Sequence, residues 1–243
     1  LDYQLYKWPG DGLSPDAPFQ FVEGEYMKTD EYDELIRDPT GFWLRKYVPR
    51  ISKGLEGFGE LPQLTTPMFN FTVHSFGSPE VQKSLDVLKE ASRIGFEERK
   101  ILAKYDRDIV RAGFPSLTGG LSMAPFDFIG DSLRGTKGIM LDMRRRPEKL
   151  KEAMEMVVHI VVRLGAVSAL KAGSPAVLVP MHKGCDEFMS IEDYEDFYWP
   201  TLRKVLEEFI ELGLVPWVFA EGSYDHRLDF LSDNMPDGSM IWH

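Results

Sequence analysis

The chain has 243 residues, a net charge of −11 and a pI of about 5.0, with 43% apolar and 12% aromatic residues. That composition supports a sizeable buried core and gives no sign of disorder. The acidic balance argues against nucleic acid or an anionic membrane surface as a main partner, and the single cysteine excludes an internal disulfide framework and suits a reducing cytosol.

Residues 1–28 are rich in Gly, Pro and aromatics and read as irregular loop with at most short strands. Thr29-Asp30-Glu31 opens a short helix that stops before Pro39, and a second helix fits Gly41–Tyr47. Gly and Pro punctuate residues 51–78, leaving one strand-like run, Met68–Val73. Ser78-Pro79-Glu80 opens a long helix to about Tyr105. Residues 106–125 are turn-rich. Pro147-Glu148 starts the next long helix, ended by Gly173 after Ala172. A further helix from Ser190 is expected to break at Pro200 and resume to Leu212-Gly213. A last short one fits Asp225–Leu231.

Three strands alternate with these helices. Ala176–Pro180 runs into Met181-His182-Lys183-Gly184-Cys185-Asp186, Val215–Ala220 into Glu221-Gly222, and Met240–Trp242 into His243. The α/β rhythm predicts that the three are parallel and share one sheet. Such sheets carry their active sites at the carboxyl ends of strands. His182, Cys185, Asp186, Glu221 and His243 are therefore expected on one rim. Glu221 follows a wholly apolar strand, and Gly222 lets the backbone turn there. A solvated loop acid is the plainer alternative. His182 and Cys185, three residues apart, could share a metal, although a buried unpaired Cys beside a loop His is the commoner outcome. Asp186 could bind substrate or cap the following helix. Glu221 and His243 could supply two of the three protein ligands of a catalytic zinc, with the third beyond residue 243.

Gly130–Lys137 has a superficial likeness to a phosphate loop, but the order Gly-Thr-Lys is wrong, and the chain has no GxSxG or GxGxxG motif. No segment is expected to span a membrane and no signal peptide opens the chain. Leu1 and His243 do not read as natural termini, so an internal portion of a longer, cytoplasmic protein is expected. One domain is expected over 1–243: an irregular part, 1–78, covering the mouth of the site, then regular βα units over 79–243.

Several motifs together resemble the uroporphyrinogen decarboxylase superfamily. They are Leu133-Arg134-Gly135 with the Arg146-Pro147-Glu148 helix start, Phe188-Met189-Ser190 through Phe197-Tyr198-Trp199-Pro200, and Pro216-Trp217-Val218-Phe219-Ala220-Glu221-Gly222. The resemblance is best over 106–243. It implies a (β/α)8 TIM barrel, present here as an incomplete portion. Two chemistries occur in the superfamily. One is tetrapyrrole decarboxylation, whose N-terminal arginine-rich segment is not in this sequence and whose Tyr has no counterpart after Gly113-Phe114-Pro115. The other is zinc-dependent methyl transfer to a corrinoid protein, with His-x-Cys-Gly where this chain reads Phe219-Ala220-Glu221-Gly222. The resemblance implies a methyltransferase acting on a small methylated donor, and the departure at Glu221, a carboxylate in place of the thiolate, better suits an oxygen substrate such as an aryl methyl ether. Glu221, Asp186 and His182 are the candidate catalytic residues. Phe219, Phe21, Glu23 and Tyr224 are the candidate substrate contacts. Zinc would sit on Glu221 and His243, with a corrinoid carried by a partner protein. Tetrapyrrole decarboxylation is the runner-up, and a non-catalytic binding barrel the third reading. Oligomeric state is open.

Overall fold

A computed structural model describes residues 1–63, 70 and 72–243. The chain divides into two compact units: 1–111 with 133–135, and 112–132 with 136–243.

The first unit opens with three short strands, β1 (Tyr6–Pro9), β2 (Gly12–Leu13) and β3 (Gln20–Phe21), in the order β2-β1-β3. Helix α1 (Tyr32–Arg37) does stop before Pro39. Asp38 then caps α2 (Pro39–Phe42), its Oδ1 accepting from the Gly41 N–H at 2.8 Å. A π turn at Trp43–Tyr47 carries the chain into α3 (Val48–Ile51), so the expected second helix is longer than its sequence signal. Leu55, Phe58 and Leu61 pack on Val81 of α4 (Pro79–Arg111). Half of the strand expected over Met68–Val73 lies outside the described residues, and Val73 opens a 3-10 turn (Val73–Gly77) where that strand was expected to end.

The second unit holds a four-stranded parallel sheet in the order β4-β5-β6-β7: Thr118–Leu121, Ala176–Met181, Val215–Ala220 and Ile241–Trp242. The three strands expected from the sequence are adjacent and parallel, with Val177 opposite Pro216 and Trp217 opposite Ile241. Among the described residues this sheet is open, not a closed barrel. Strand β4 had no sequence signal. Its Gly119-Gly120 has weak strand propensity, but glycine is what the packing needs. A Cβ on Gly120 would sit 2.2 Å from the carbonyl oxygen of Gly165.

Gly165 belongs to α7 (Pro147–Ala172), which begins at the expected proline and ends on Gly173 at φ 64, the left-handed conformation glycine adopts without strain. Leu150, Val157, Val161 and Ala169 of α7 are buried. Each large aliphatic side chain so buried contributes about 1.5–3 kcal/mol. An 18-residue window of α7 has a mean hydropathy of 1.7, long and apolar enough to cross a membrane by length and composition. That corrects the expectation that no segment has this character. Half of the window is buried, as in a core helix covering a sheet.

Between β4 and α7 lie α5 (Pro125–Ile129), a π turn (Gly130–Arg134) and α6 (Gly135–Arg145), so the pseudo phosphate loop is helical. After β5 come α8 (Ile191–Asp193), a π turn (Tyr194–Tyr198) and α9 (Trp199–Glu211) without a break. The interruption expected at Pro200 does not occur. Pro200 sits in the first turn of α9, directly after the π turn Tyr194–Tyr198, where the regular i→i−4 ladder is already interrupted. Helix α10 (Leu228–Asn234) precedes β7.

Candidate active site at the strand ends

The parallel strands all end on one side, and the titratable groups gather where β5 and β6 end. Asp127 of α5 is fully buried. Its Oδ1 accepts the Lys183 N–H at 2.9 Å, and its Oδ2 accepts the His182 N–H at 3.0 Å and the Tyr198 hydroxyl at 2.6 Å. One carboxyl thus fastens the first two residues after β5 to α5. Burial, then the charge of Asp131, pushes Asp127 up to about 6, against the pull of these three donors. Burial also raises the Tyr198 phenol well above its ordinary value.

Asp131 lies one helical turn further along, on the same side as Asp127. Its Oδ2 is 2.7 Å from His182 Nδ1, and its Oδ1 is 2.7 Å from Lys183 Nζ. Burial alone would raise the Asp131 carboxyl, but the His182 hydrogen bond and the Lys183 ammonium outweigh it and hold it low. Lys183 also donates to Thr136 Oγ1 at 3.1 Å and lies over the Phe188 ring. Its stem passes so close to Gly130 that a Cβ there would be 2.9 Å from Lys183 Cε.

His182 Nε2 faces Glu221 Oε2 at 3.3 Å. The imidazole therefore stands between two carboxylates, one largely buried and one half exposed, with Asp131 13% and Glu221 49% accessible. The Asp131 hydrogen bond raises His182 to about 9, more than burial lowers it. At neutral pH it is an imidazolium with one proton held by Asp131 and one directed at the half-exposed Glu221.

The structure brings His182 and Glu221 together. It uses Asp186 differently: the carboxylate pairs with Arg227 and accepts from Ser223 Oγ at 3.1 Å and the His226 N–H at 3.2 Å, fixing the loop after β6. Cys185 is buried, and burial pushes its thiol up. Tyr224 is buried, and its hydroxyl donates to the Met181 carbonyl at 3.2 Å. The His243 ring stacks on Phe219 with centroids 5.4 Å apart. Phe21 and Glu23 belong to the first unit, both exposed, with Phe21 edge-on to Tyr6.

Among the described residues no group of three or more His, Cys, Asp or Glu side chains is placed to hold a metal ion. With Glu221 turned to His182 and His243 on Phe219, these residues do not fit a zinc that takes three protein ligands.

Asp127 and Lys183 carry no motif, Asp131 falls in the Gly130–Lys137 run that is no phosphate loop, and Tyr198 is noticeable only within Phe197-Tyr198-Trp199-Pro200. The one available signal was two acids four residues apart, placed by the helical period on one face.

An α/β unit with a charged cluster beyond the ends of parallel strands has the layout of an enzyme site. The uroporphyrinogen decarboxylase (URO-D) family model matches residues 107–240, more than half of the chain, and the chain belongs to that family. A solved methyltransferase from Methanosarcina mazei is similar at 13% identity and a TM-score of 0.46, over 90% of this chain and 48% of that one. The chain thus spans about half the length of that structure. No curated protein matches.

Proposed function

We infer that this chain carries the proton-delivering rim of a URO-D family enzyme, built on a (β/α)8 barrel, that removes a methyl group from a small O-methyl substrate. The observation that carries the reading is His182 clamped between Asp131 and Glu221 at the ends of β5 and β6. Breaking a methyl–oxygen bond leaves negative charge on the oxygen. An imidazolium within reach can neutralise that charge by giving up its Nε2 proton as the bond breaks. The methyl carbon passes to an acceptor, in this reading a reduced corrinoid carried by a partner protein. Asp131 holds the ring and keeps the Nδ1 proton in place. Glu221, half exposed and 3.3 Å away, is displaced by the substrate oxygen, and after product leaves, the ring takes a proton back from solvent and pairs with Glu221 again.

Tetrapyrrole decarboxylation is the second reading, favoured by the description of the matching family model. The rim weighs against it. Asp131 and Glu221 already pair with His182 and Lys183 there, and such a neutralised surface does not attract a polycarboxylate.

The test uses the full-length protein. Phenol release from methoxyarenes with a reduced corrinoid, and CO2 release from uroporphyrinogen, are measured side by side for the wild type and His182→Gln. The proposal expects phenol release, lowered roughly 100-fold or more in the variant, as loss of a general acid does. CO2 release without phenol release returns the decarboxylase reading to first place.

A further inference from the structure

Helix α4 is 33 residues long, and its only buried residues, Val81 and Ser84, lie in its first two turns. From Ser92 to Arg111 no residue is buried. This stretch is not uniformly polar. Ile94, Ile101, Leu102, Tyr105 and Ile109 fall within about 100° of arc at 100° per residue, the width of a stripe that packs on another helix. They are 55%, 60%, 54%, 64% and 46% exposed. So large an apolar stripe open to water marks an interaction surface.

The charges beside the stripe indicate its occupant. One edge reads, every seventh residue, Glu90, Glu97, Lys104, Arg111. The sign reverses halfway. Two copies of such an edge set antiparallel, with the two-fold axis between Lys100 and Ile101, oppose Glu97 to Lys104 and Glu90 to Arg111. The same axis opposes Arg93 to Asp108. Symmetry makes each pair twice. Within one copy the neighbouring charges already form i,i+3 pairs, Glu90 with Arg93 and Glu97 with Lys100, both at 2.7 Å. The inter-copy pairs extend these into networks. Gly95 borders the stripe with nothing within 4 Å of a Cβ built on it. It costs the helix about 0.5–1 kcal/mol relative to Ala without any packing reason inside the chain. Close approach of a second helix supplies that reason. Glu98 interrupts the stripe. In this register it lies within a turn of Arg99 of the second copy, and its stem can lie along the apolar surface while the carboxylate reaches the edge.

We propose that α4 is a homodimerisation helix, its stripe from Ile94 to Ile109 packing antiparallel against the same stripe of a second copy. The isologous arrangement closes on itself and leaves no edge for further growth.

The full-length protein is examined by sedimentation velocity at micromolar concentration. The wild type sediments as a dimer. Ile101→Asp places a charge next to the axis and yields monomer. Glu97→Lys sets two like pairs across the interface and raises the dimer dissociation constant roughly tenfold. Combining it with Lys104→Glu restores the opposite charges and the wild-type constant. All these positions are exposed in the single chain, so unchanged far-ultraviolet circular dichroism confirms that each variant folds. A monomeric wild type, with the stripe covered by the protein's own chain, overturns the proposal. So does a dimer that Ile101→Asp leaves intact, or a charge exchange without rescue.

Discussion

Asp131 Oδ2 lies 2.7 Å from His182 Nδ1, across a gap of 51 residues in sequence. This contact sets the charge of the site, because it keeps the imidazole protonated to about pH 9 while the opposite nitrogen faces the half-exposed Glu221.

The contact is visible in titration. The His182 ring should titrate near 9 by nuclear magnetic resonance of the histidine side chains. Asp131→Asn, which removes the charged acceptor, should return it toward 6.5. The sign for stability follows. The folded value lies above the unfolded one, so the contribution is complete below pH 6.5 and is lost as the pH rises through 9. A His182 value unmoved by Asp131→Asn contradicts the clamp.

Asp127 is a structural fastening, and removing it is costly. Asp127→Ala strips the acceptor from two backbone N–H groups and from the Tyr198 hydroxyl, all enclosed. Urea unfolding should show a loss of about 3 kcal/mol, as for unsatisfied buried donors. Tyr198→Phe removes a single donor and should cost about 1 kcal/mol. Equal losses would mean that the backbone contacts contribute nothing.

Close packing of α7 on β4 leaves no room for a methyl group. Gly120→Ala puts its Cβ 2.2 Å from a backbone oxygen that cannot rotate away. A loss of about 3 kcal/mol in chemical denaturation is expected. A neutral substitution would show that the helix slides freely on the sheet.

In the first unit, Glu31 accepts two hydrogen bonds from Arg50 at 2.7 Å, and the Lys28 N–H at 2.8 Å. The Arg50 hydrogen bond leads in pulling Glu31 down to about 2, from 4.5. Its folded value lies below the unfolded one. The contribution is therefore present above pH 4.5 and disappears as the pH falls through 2. Glu31→Gln should lower stability by about 2 kcal/mol at pH 7 and much less at pH 2, by thermal unfolding of the whole chain. The same loss at both values would assign the effect to shape and not to charge.

What the sequence reveals here depends on whether the signal is local. Helix α7 is bounded by Pro147 and Gly173, residues whose backbone preferences act where they stand. The apolar runs of β5 and β6 are strands by composition alone, and their parallel pairing follows from the helices between them. Strand β4 is illegible because its glycines answer to α7, which lies far along the chain. Likewise Glu221 and His182 are noticeable as strand-end residues, whereas Asp127 and Asp131 sit on α5 and the turn after it. Only the fold brings them beneath His182. The expected pairing of Glu221 with His243 rested on adjacent strand ends. The stacking of His243 on Phe219 and the ion pair of Glu221 with His182 are choices made by side chains, which strand order does not determine.

The central claim is that His182 supplies the proton for bond cleavage, and the pH dependence of turnover in the full-length enzyme tests it most directly. Demethylation of a methoxyarene whose phenol leaves poorly should fall as the pH rises through about 9, following the imidazolium. In Asp131→Asn the same fall should move toward 6.5, and in His182→Gln it should vanish along with most of the rate. A high-pH limb that stays in place in both variants, or a His182→Gln enzyme that turns over like the wild type, would contradict the account.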